Sequence, residues 1–167
     1  MAKIGGKGMG IMVAVVLLAG IGSLAYTGVL SGLFKKSSAE SAKAAGVLET
    51  ADIVKIPLKA LDHGKALFLS QESEGRQFYY FALKSRDGSY KAALDACNVC
   101  FRANRGFRQE GDLMVCNNCG QTFPSNRIGK IKDGCIPHPL ASSIEGPYLV
   151  IAKSDIQSKD FFVRKRS

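Results

Sequence analysis

The sequence predicts a single N-terminal transmembrane helix followed by a small β-rich (α+β) domain that contains the cysteines. Three observations lead to this fold class. A long uncharged apolar segment lies near the N-terminus, short runs of β-branched and aromatic residues follow it, and all five cysteines fall within one stretch of the second half. We assign residues 1–34 to a membrane anchor, residues 35–50 to a linker and residues 51–167 to the cysteine domain.

The apolar segment Ile11–Leu33 carries no charged residue. A bilayer core of about 30 Å needs about 20 residues at helical rise, so the segment is long enough to span it. A signal peptide is the alternative, because Ser23–Ala25 offers the small residues of a cleavage site. The apolar run continues past that site and ends at Lys35 and Lys36, which favours a retained anchor. A buried helix of a soluble domain is a third interpretation.

The segment from Lys35 to Thr50 is small, polar and rich in alanine and serine, a composition typical of a flexible linker. Such a linker would hold a globular domain away from the bilayer surface. We expect a single-pass membrane protein. A short N-terminal segment usually stays in the cytoplasm. The cysteine domain would then be extracytoplasmic, on the periplasmic or cell-surface side.

Strand signals dominate the rest of the chain. Five segments combine β-branched and aromatic residues and are separated by turn formers: Asp52–Leu58, Ala66–Ser70, Gln77–Lys84, Pro147–Lys153 and Phe161–Arg164. Arg86–Ser89 has the composition of a hairpin turn. Ser89–Ala96, S-Y-K-A-A-L-D-A, contains three alanines and is predicted to be a helix. The cysteines lie in an insertion between the predicted strands.

Four cysteines form two C-x-x-C pairs, Cys97/Cys100 and Cys116/Cys119. A C-x-x-C turn lets two sulfur atoms reach the same ion or cluster, and the spacing falls within the C-x2-C-x15–20-C-x2-C pattern of zinc ribbons. The pattern therefore predicts one tetrathiolate metal site. Structural disulfides are the alternative in an oxidising compartment, but the odd number of cysteines disfavours them. Neither pair is followed by the histidine that covalent haem attachment requires.

Cys135 and His138 bear on the choice between zinc and a redox-active centre. A closed structural zinc site uses four ligands and would leave Cys135 idle. A fifth cysteine in the G-C-I-P-H-P turn therefore favours a site with more than four ligands, or a second small centre. His138 is a candidate ligand, and a surface histidine between two prolines is the alternative. His63, in a D-H-G segment, is predicted to be a turn residue.

The formal net charge of +9 does not indicate nucleic-acid binding, because no basic run is interleaved with aromatic residues. Basic side chains near the cysteines would instead balance the negative charge of a thiolate site, or form an ordinary solvated loop. The candidates are Arg102, Arg105, Arg108, Arg127, Lys130 and Lys132. The sequence has no catalytic triad, carboxylate pair or phosphate-binding loop after a strand, so an enzyme with its own substrate is not indicated.

Four segments follow one another in a specific order: V-K-I-P-L with H-G-K-A-L-F, then F-Y-Y-F-A-L-K-S-R-D-G-S-Y-K-A-A-L-D-A-C-N-V-C, then G-F-R-Q-E-G-D-L-M-V-C-N-N-C-G-Q-T-F-P-S-N-R-I-G and then D-G-C-I-P-H-P-L. Together they resemble the FtrD-like family of membrane iron–sulfur proteins, from roughly Asp52 to Asp160. The chain departs from the usual pattern at Asp133, where a glycine is usual, and at His138. The resemblance implies an iron–sulfur cluster, with zinc as the alternative, at the family's cysteine positions: Cys97, Cys100, Cys116, Cys119 and Cys135.

The family is associated with high-affinity ferrous-iron uptake, beside an iron permease, a periplasmic iron-binding protein and a cupredoxin-like protein. The resemblance thus implies a membrane-anchored electron-transfer protein that accepts or relays electrons, with those proteins as partners. A zinc- or iron-binding module without redox activity stays open as an alternative. So does a membrane-anchored thiol–disulfide protein.

We predict that Ile11–Leu33 stays attached to the chain and spans the bilayer. Alkaline carbonate strips peripheral proteins from membranes but leaves spanning ones, so the full chain should remain in the membrane pellet after extraction. Mass spectrometry of the pelleted protein should find the N-terminal residues. A soluble product that begins at Tyr26 would show instead that the segment is a cleaved signal peptide.

Overall fold

The computed structural model describes residues 39–162, in which eleven strands form three sheets. This range confirms the small β-rich domain with cysteines that the sequence predicts. The predicted anchor, Ile11–Leu33, lies outside the described residues, as do residues 163–167. Between residues 39 and 162, no helix is both long enough and apolar enough to cross a membrane.

The first sheet has the strand order β1-β2-β11-β10. Its strands are β1 (Leu48–Glu49), β2 (Ile53–Pro57), β10 (Ser142–Glu145) and β11 (Tyr148–Ala152). The two longest, β2 and β11, pair antiparallel at its centre and lie within segments that the sequence predicts as strands. Alternate residues of β2 are buried, as expected where one face of a sheet packs on a core.

The folded unit begins inside the segment predicted to be a linker. Residues 39–44 form a short helix, and the strand Leu48–Glu49 pairs with β2. Ala42 and Val47 pack, partly buried, against the core. These contacts come from a few small apolar side chains in a polar segment, so the composition of the segment does not reveal them.

The second sheet has the order β3-β4-β5-β9. Its strands are β3 (Leu67–Ser73), β4 (Arg76–Lys84), β5 (Tyr90–Cys97) and β9 (Pro137–Pro139). The turn predicted at Arg86–Ser89 joins β4 to β5, and the Ser85 N–H donates to the Ser89 carbonyl over 2.8 Å. Proline cannot donate to a ladder, so the two prolines of β9 are tolerated because β9 is an edge strand.

The helix predicted at Ser89–Ala96 is wrong, because this segment is the strand β5. Alanine favours a helix in isolation, but intrinsic propensity is a weak preference that tertiary burial overrides. Here β5 pairs with β4 along one edge and with β9 along the other, and its residues from Ala92 to Cys97 are all buried. The small alanines let layers of the domain close on both faces of the strand.

Alternate residues of β5 belong to two separate cores. Ala92, Leu94 and Ala96 join a core shared with the first sheet. Ala93 and Cys97 join a second core, shared with the third sheet. The second sheet is therefore the middle layer of the domain. Each fully buried aliphatic side chain contributes about 1.5–3 kcal/mol of transfer free energy, so both interfaces add to stability.

The third sheet lies between β5 and β9, in the cysteine-bearing insertion that the sequence predicts, although no strand was predicted there. Its strands are β6 (Phe107–Glu110), β7 (Leu113–Cys116) and β8 (Thr122–Pro124), in that order. Gln109 joins this sheet to the segment before β3: its amide accepts from the Ala66 N–H over 2.6 Å and donates to the Gly64 carbonyl over 2.8 Å. The oxygen and the nitrogen of one side-chain amide thus hold the insertion against the rest of the domain.

The C-terminal segment is helical in its described part. A short helix, Lys153–Gln157, follows β11, and a 3-10 turn covers Asp160–Phe162. The strand predicted at Phe161–Arg164 is therefore wrong as far as residue 162. The rings of Phe161 and Phe162 lie 4.4 and 5.5 Å from the ring of Phe101, measured between centroids. This aromatic packing, which no local pattern announces, takes the place of strand pairing.

Candidate metal centre

The first C-x-x-C pair sits where β5 ends. Cys97 is the last residue of the strand, and the chain then turns into a 3-10 helix at Phe101–Ala103. In this turn the Cys100 N–H donates to the Cys97 sulfur over 2.9 Å. The tight turn therefore brings the second cysteine back beside the first and supplies a backbone donor that stabilises a thiolate.

The second pair sits at the corresponding place after β7. Cys116 ends the strand, its carbonyl accepts from the Gly120 N–H over 2.9 Å, and its own N–H donates to the Gln121 carbonyl over 2.9 Å. Gly120 has a φ of +74°, a conformation that residues with a Cβ atom rarely adopt. Because Gly120 can turn the chain back, the loop returns to β8 and leaves Cys119 at its exposed tip.

The pKa values of two of the thiols, Cys116 and Cys135, are shifted in opposite directions. Burial alone would raise the pKa of the Cys116 thiol, but the N–H groups of Cys119 and Asn118 donate to its sulfur, and the pKa falls to about 7. Burial, followed by the neighbouring Cys97 sulfur, raises the pKa of Cys135. The cysteine cluster thus contains one thiol, Cys116, that is suited to ionise near neutral pH. Beside it lies a second thiol, Cys135, that loses its proton readily only when a metal displaces it.

Cys135 reaches the two pairs through the strand that follows it. In the pairing of β5 with β9, Cys97 lies opposite Pro137, which places Cys135 just beyond the end of β5. Gly134 has a φ of +94°, and its carbonyl accepts from the Ile136 N–H over 3.0 Å. This three-residue turn has Cys135 at its centre and presents the side chain inward, where it is 3% exposed.

The five sulfurs converge on one region. Those of Cys97, Cys100, Cys116 and Cys135 all lie within 4.8 Å of one another. The Cys135 sulfur is 2.9 Å from that of Cys97 and 3.5 Å from that of Cys119. All five are free cysteines, so the structure contains none of the alternative disulfides among them. The close set of four therefore includes Cys135, whereas the sequence pattern pointed to Cys119.

The two histidines lie in different settings. The ring of His138, in β9, packs 4.9 Å from the ring of Phe162, and it does not belong to the close group of possible ligands among the described residues. Burial lowers the pKa of His138, and the Lys159 ammonium adds to the effect. His63 accepts from the Lys65 N–H through Nδ1 over 3.1 Å, as a turn residue does. A role of His138 as a ligand stays a prediction.

The basic side chains of the insertion divide between its two ends. Phe107 pairs with Cys116, so the start of β6 and the end of β7 form the cysteine end of the third sheet. There Arg108 donates to the Asn117 side chain over 3.1 Å, while it also forms an ion pair with Glu110 over 2.7 Å. Arg127 follows β8, whose Pro124 pairs with Leu113 at the other end of β7.

The other basic side chains near the cysteines are Arg102, Arg105, Lys130 and Lys132. Arg102 and Arg105 are exposed in the loop that follows Cys100, and the Arg102 guanidinium lies 5.7 Å from the Phe101 ring centroid. Lys130 pairs with Asp87 over 3.5 Å, and Lys132 is exposed. The exposed basic groups near the cysteines therefore include Arg102, Arg105 and Lys132, with Arg108 partly neutralised by its ion pair.

Asp95 is a functional residue that the sequence analysis missed. It lies in β5 two positions before Cys97, is 9% exposed, and accepts from the Phe107 N–H through Oδ1 over 2.6 Å. The bond ties the start of β6 to β5 and so fixes Cys116, the pairing partner of Phe107, relative to Cys97. A lone carboxylate in the apolar run A-A-L-D-A-C is the signal that could have revealed it.

The donor set suits a soft or borderline metal. Four cysteine sulfurs on fixed backbone, with N–H groups directed at those of Cys97 and Cys116, are the kind of ligand set that zinc and iron–sulfur centres use. A single tetrahedral ion with metal–sulfur bonds of about 2.3 Å holds its sulfurs about 3.8 Å apart, within the spread of the close set. A four-iron cluster holds its cysteine sulfurs farther apart, since each binds a different iron atom, so all four sulfurs would have to move apart to hold it.

A β-rich domain with a largely buried cysteine cluster that could hold a metal is thus the class of protein that the fold and the site define. The sequence matches the family described as "Membrane iron-sulfur containing protein FtrD-like" over residues 61–162. This chain belongs to the FtrD-like family. Searches of curated proteins and of solved structures found no match.

We predict that Asp95→Ala lowers the free energy of unfolding by about 1–3 kcal/mol, because the buried Phe107 N–H loses its acceptor. The same variant should hold Co²⁺ less tightly, since Cys116 is no longer fixed against Cys97. Urea unfolding followed by circular dichroism and a competition titration with a chelator measure the two effects. Asp95→Asn is the control, since it keeps an acceptor oxygen, and it should lose less. Equal losses in the two variants would mean that the negative charge of Asp95, not its hydrogen bond, is what matters.

Proposed function

We propose that this protein is a membrane-anchored iron–sulfur protein that accepts or relays electrons during ferrous-iron uptake. The observation that carries the proposal is the position of the five cysteine thiols, which lie close together at the edge of the domain. Cys97, Cys116 and Cys135 are buried, but Cys100 is half-buried and Cys119 is exposed. An electron-transfer centre needs this combination, because the metal must be shielded from water yet stay within reach of a partner.

The residues around the sulfurs suit a redox centre. An iron–sulfur cluster, when bound, supplies one-electron chemistry at a potential that its surroundings tune. In this chain the tuning groups are the N–H donors to sulfur: Cys100 to Cys97, and both Asn118 and Cys119 to Cys116. Such donors stabilise the more negative state of the centre and therefore raise its reduction potential. The strands β5 and β7, which end at Cys97 and Cys116, hold the ligands on rigid elements.

The surface beside the centre supports a docking role. Val99, inside the first C-x-x-C turn, is 67% exposed, and Phe161, which packs on Phe101, is 63% exposed. Arg102 and Arg105 lie on the same loop. Apolar side chains with basic neighbours fit a partner that has an acidic surface, and attraction between opposite charges speeds its approach. An iron permease, a cupredoxin-like protein or a periplasmic iron-binding protein would be that partner.

A metal-binding module without redox activity is the second candidate. The sulfur spacing favours it, because four sulfurs within 4.8 Å of one another match a single zinc or iron ion more closely than a four-iron cluster. Such a centre would hold the insertion in its folded form, as structural zinc does in other small domains.

Metal and sulfide analysis separates the two functions. The full chain, purified without oxygen, should contain iron and acid-labile sulfide, absorb visible light, and bleach when dithionite reduces it. Cys116→Ser should remove the colour, because a hydroxyl is a poor ligand for a soft metal. One zinc per chain, with no sulfide and no visible absorbance even after reconstitution with iron and sulfide, would contradict electron transfer and support the metal-binding module.

We also predict that the arginines of the first cysteine loop govern the approach of charged redox partners. In the double variant Arg102→Glu/Arg105→Glu, oxidation of the reduced protein by ferricyanide should be several-fold slower at low salt, because the anion is repelled. Oxidation by a cationic cobalt(III) complex should be faster, and added salt should reduce both differences. Stopped-flow absorbance gives the rates.

Arg127→Glu is the matched control for this experiment. Arg127→Glu changes the net charge by two units, as does each single variant Arg102→Glu or Arg105→Glu, but its site follows β8 at the end of the third sheet away from Cys116. It should therefore alter both rates far less than the double variant. If Arg127→Glu had the larger effect, the charged surface that a partner meets would lie at the other end of the insertion.

A further inference from the structure

The two C-x-x-C turns differ in a way that their sequences do not suggest. Cys100 and Cys119 are the second cysteines of their pairs, so a symmetric site would use both alike. Cys100 belongs to the close set of four sulfurs, whereas Cys119 does not. Cys119 is exposed, and its sulfur lies 3.5 Å from that of Cys135 and also interacts with the side chains of Cys100 and Cys116 at the outer side of the close set.

The cause of this asymmetry is the strand β9. Its pairing with β5 brings Cys135 next to Cys97, with their sulfurs 2.9 Å apart. Cys135 is 3% exposed and therefore lies on the inner side, between the two turns. Cys135 occupies the inner position that the spacing of the two pairs predicts for Cys119. Cys119 lies on the solvent-exposed side of the cluster.

We propose that Cys97, Cys100, Cys116 and Cys135 are the resident ligands of the metal centre, and that Cys119 is an exchanging ligand through which metal enters and leaves. An incoming ion first meets the exposed Cys119 thiolate. The neighbouring Cys135 then replaces Cys119 at the metal, which completes the buried set. The inference concerns the path of the metal, and it holds whether the centre carries electrons or only binds metal.

The exchange of the metal between Cys119 and Cys135 conserves both the number of ligands and the number of protons. In this exchange Cys135 would take the place of Cys119 as a ligand, and the proton of the Cys135 thiol would pass to the Cys119 sulfur as it leaves the metal. No oxidant or reductant takes part, since both sulfurs keep their oxidation state. The 3.5 Å separation of the two sulfurs allows a single ion to contact both during the exchange, because metal–thiolate bonds are about 2.3 Å long.

Thiol protection in the loaded protein tests the ligand assignment without any substitution. The full chain is loaded with Co²⁺ under anaerobic conditions, treated with iodoacetamide for increasing times, digested and analysed by mass spectrometry. We expect Cys119 to be alkylated about ten-fold or more faster than the other four cysteines, because it alone is free of metal and exposed. Protection of Cys119 equal to that of Cys100, or faster alkylation of Cys135, would overturn the proposal.

Cysteine variants test the role of Cys119 in exchange. Cys119→Ser should bind Co²⁺ with an affinity within about two-fold of the parent, yet take it up from a Co²⁺–chelate complex about three-fold or more slowly. Cys100→Ser is the matched control, since it changes the equivalent cysteine of the other pair. It should weaken binding about ten-fold or more and reduce the thiolate-to-cobalt absorption band.

Cys135→Ser should behave like Cys100→Ser in affinity. The proposal is overturned if Cys119→Ser loses as much affinity as Cys100→Ser while Cys135→Ser retains it, because the two C-x-x-C pairs would then be the ligand set. It is also overturned if Cys119→Ser takes up Co²⁺ at the parent rate. Circular dichroism of each variant, and the alkylation pattern of the unsubstituted chain, distinguish a lost ligand from a lost fold.

Discussion

The double burial of β5 is the constraint on which the domain depends. This strand pairs along both edges and is buried on both faces, and it ends at Cys97. One face completes the core shared with the first sheet, and the other completes the core that contains the cysteines. Movement of β5 would therefore disturb both cores, so its end is a fixed point. The carboxylate of Asp95 and the pairing with β9 then place Cys116 and Cys135 relative to that point.

Burying several thiols together carries an electrostatic penalty that the local backbone reduces. A buried thiolate is costly unless hydrogen bonds or a cation stabilise it, and the group offers N–H donors at Cys97 and Cys116. Cys135 receives less help, since burial and its sulfur neighbours raise its pKa. A bound metal supplies the missing positive charge, so metal binding and the stability of the insertion are linked. The exposed arginines Arg102 and Arg105 lie at the same end and add a weaker, screened contribution.

The sequence predicted the parts of this structure that local patterns control. Strand and turn chemistry located β2, β4 and the turn at Arg86–Ser89, and the spacing of the pairs predicted three of the four cysteines that lie closest together. The helix expected at Ser89–Ala96 failed because alanine composition carries no information about neighbours on both edges. The inner position of Cys135 could not be foreseen, because it follows from the pairing of β5 with a strand distant in the sequence. Asp95 escaped for the same reason, since its partner is the N–H of Phe107.

The prolines of β9 have a consequence for how other chains can meet the domain. The Leu140 N–H points towards β5 and donates to the Ala92 carbonyl over 3.0 Å. Since N–H groups alternate in direction along a strand, Pro137 and Pro139 occupy positions whose donors would face away from the sheet. Proline has no such donor, so this outer border is a poor template for a further strand from another molecule. The β9 edge of the second sheet is thereby blunted against growth by backbone pairing, and side chains become the main means of recognition for a second protein that binds there.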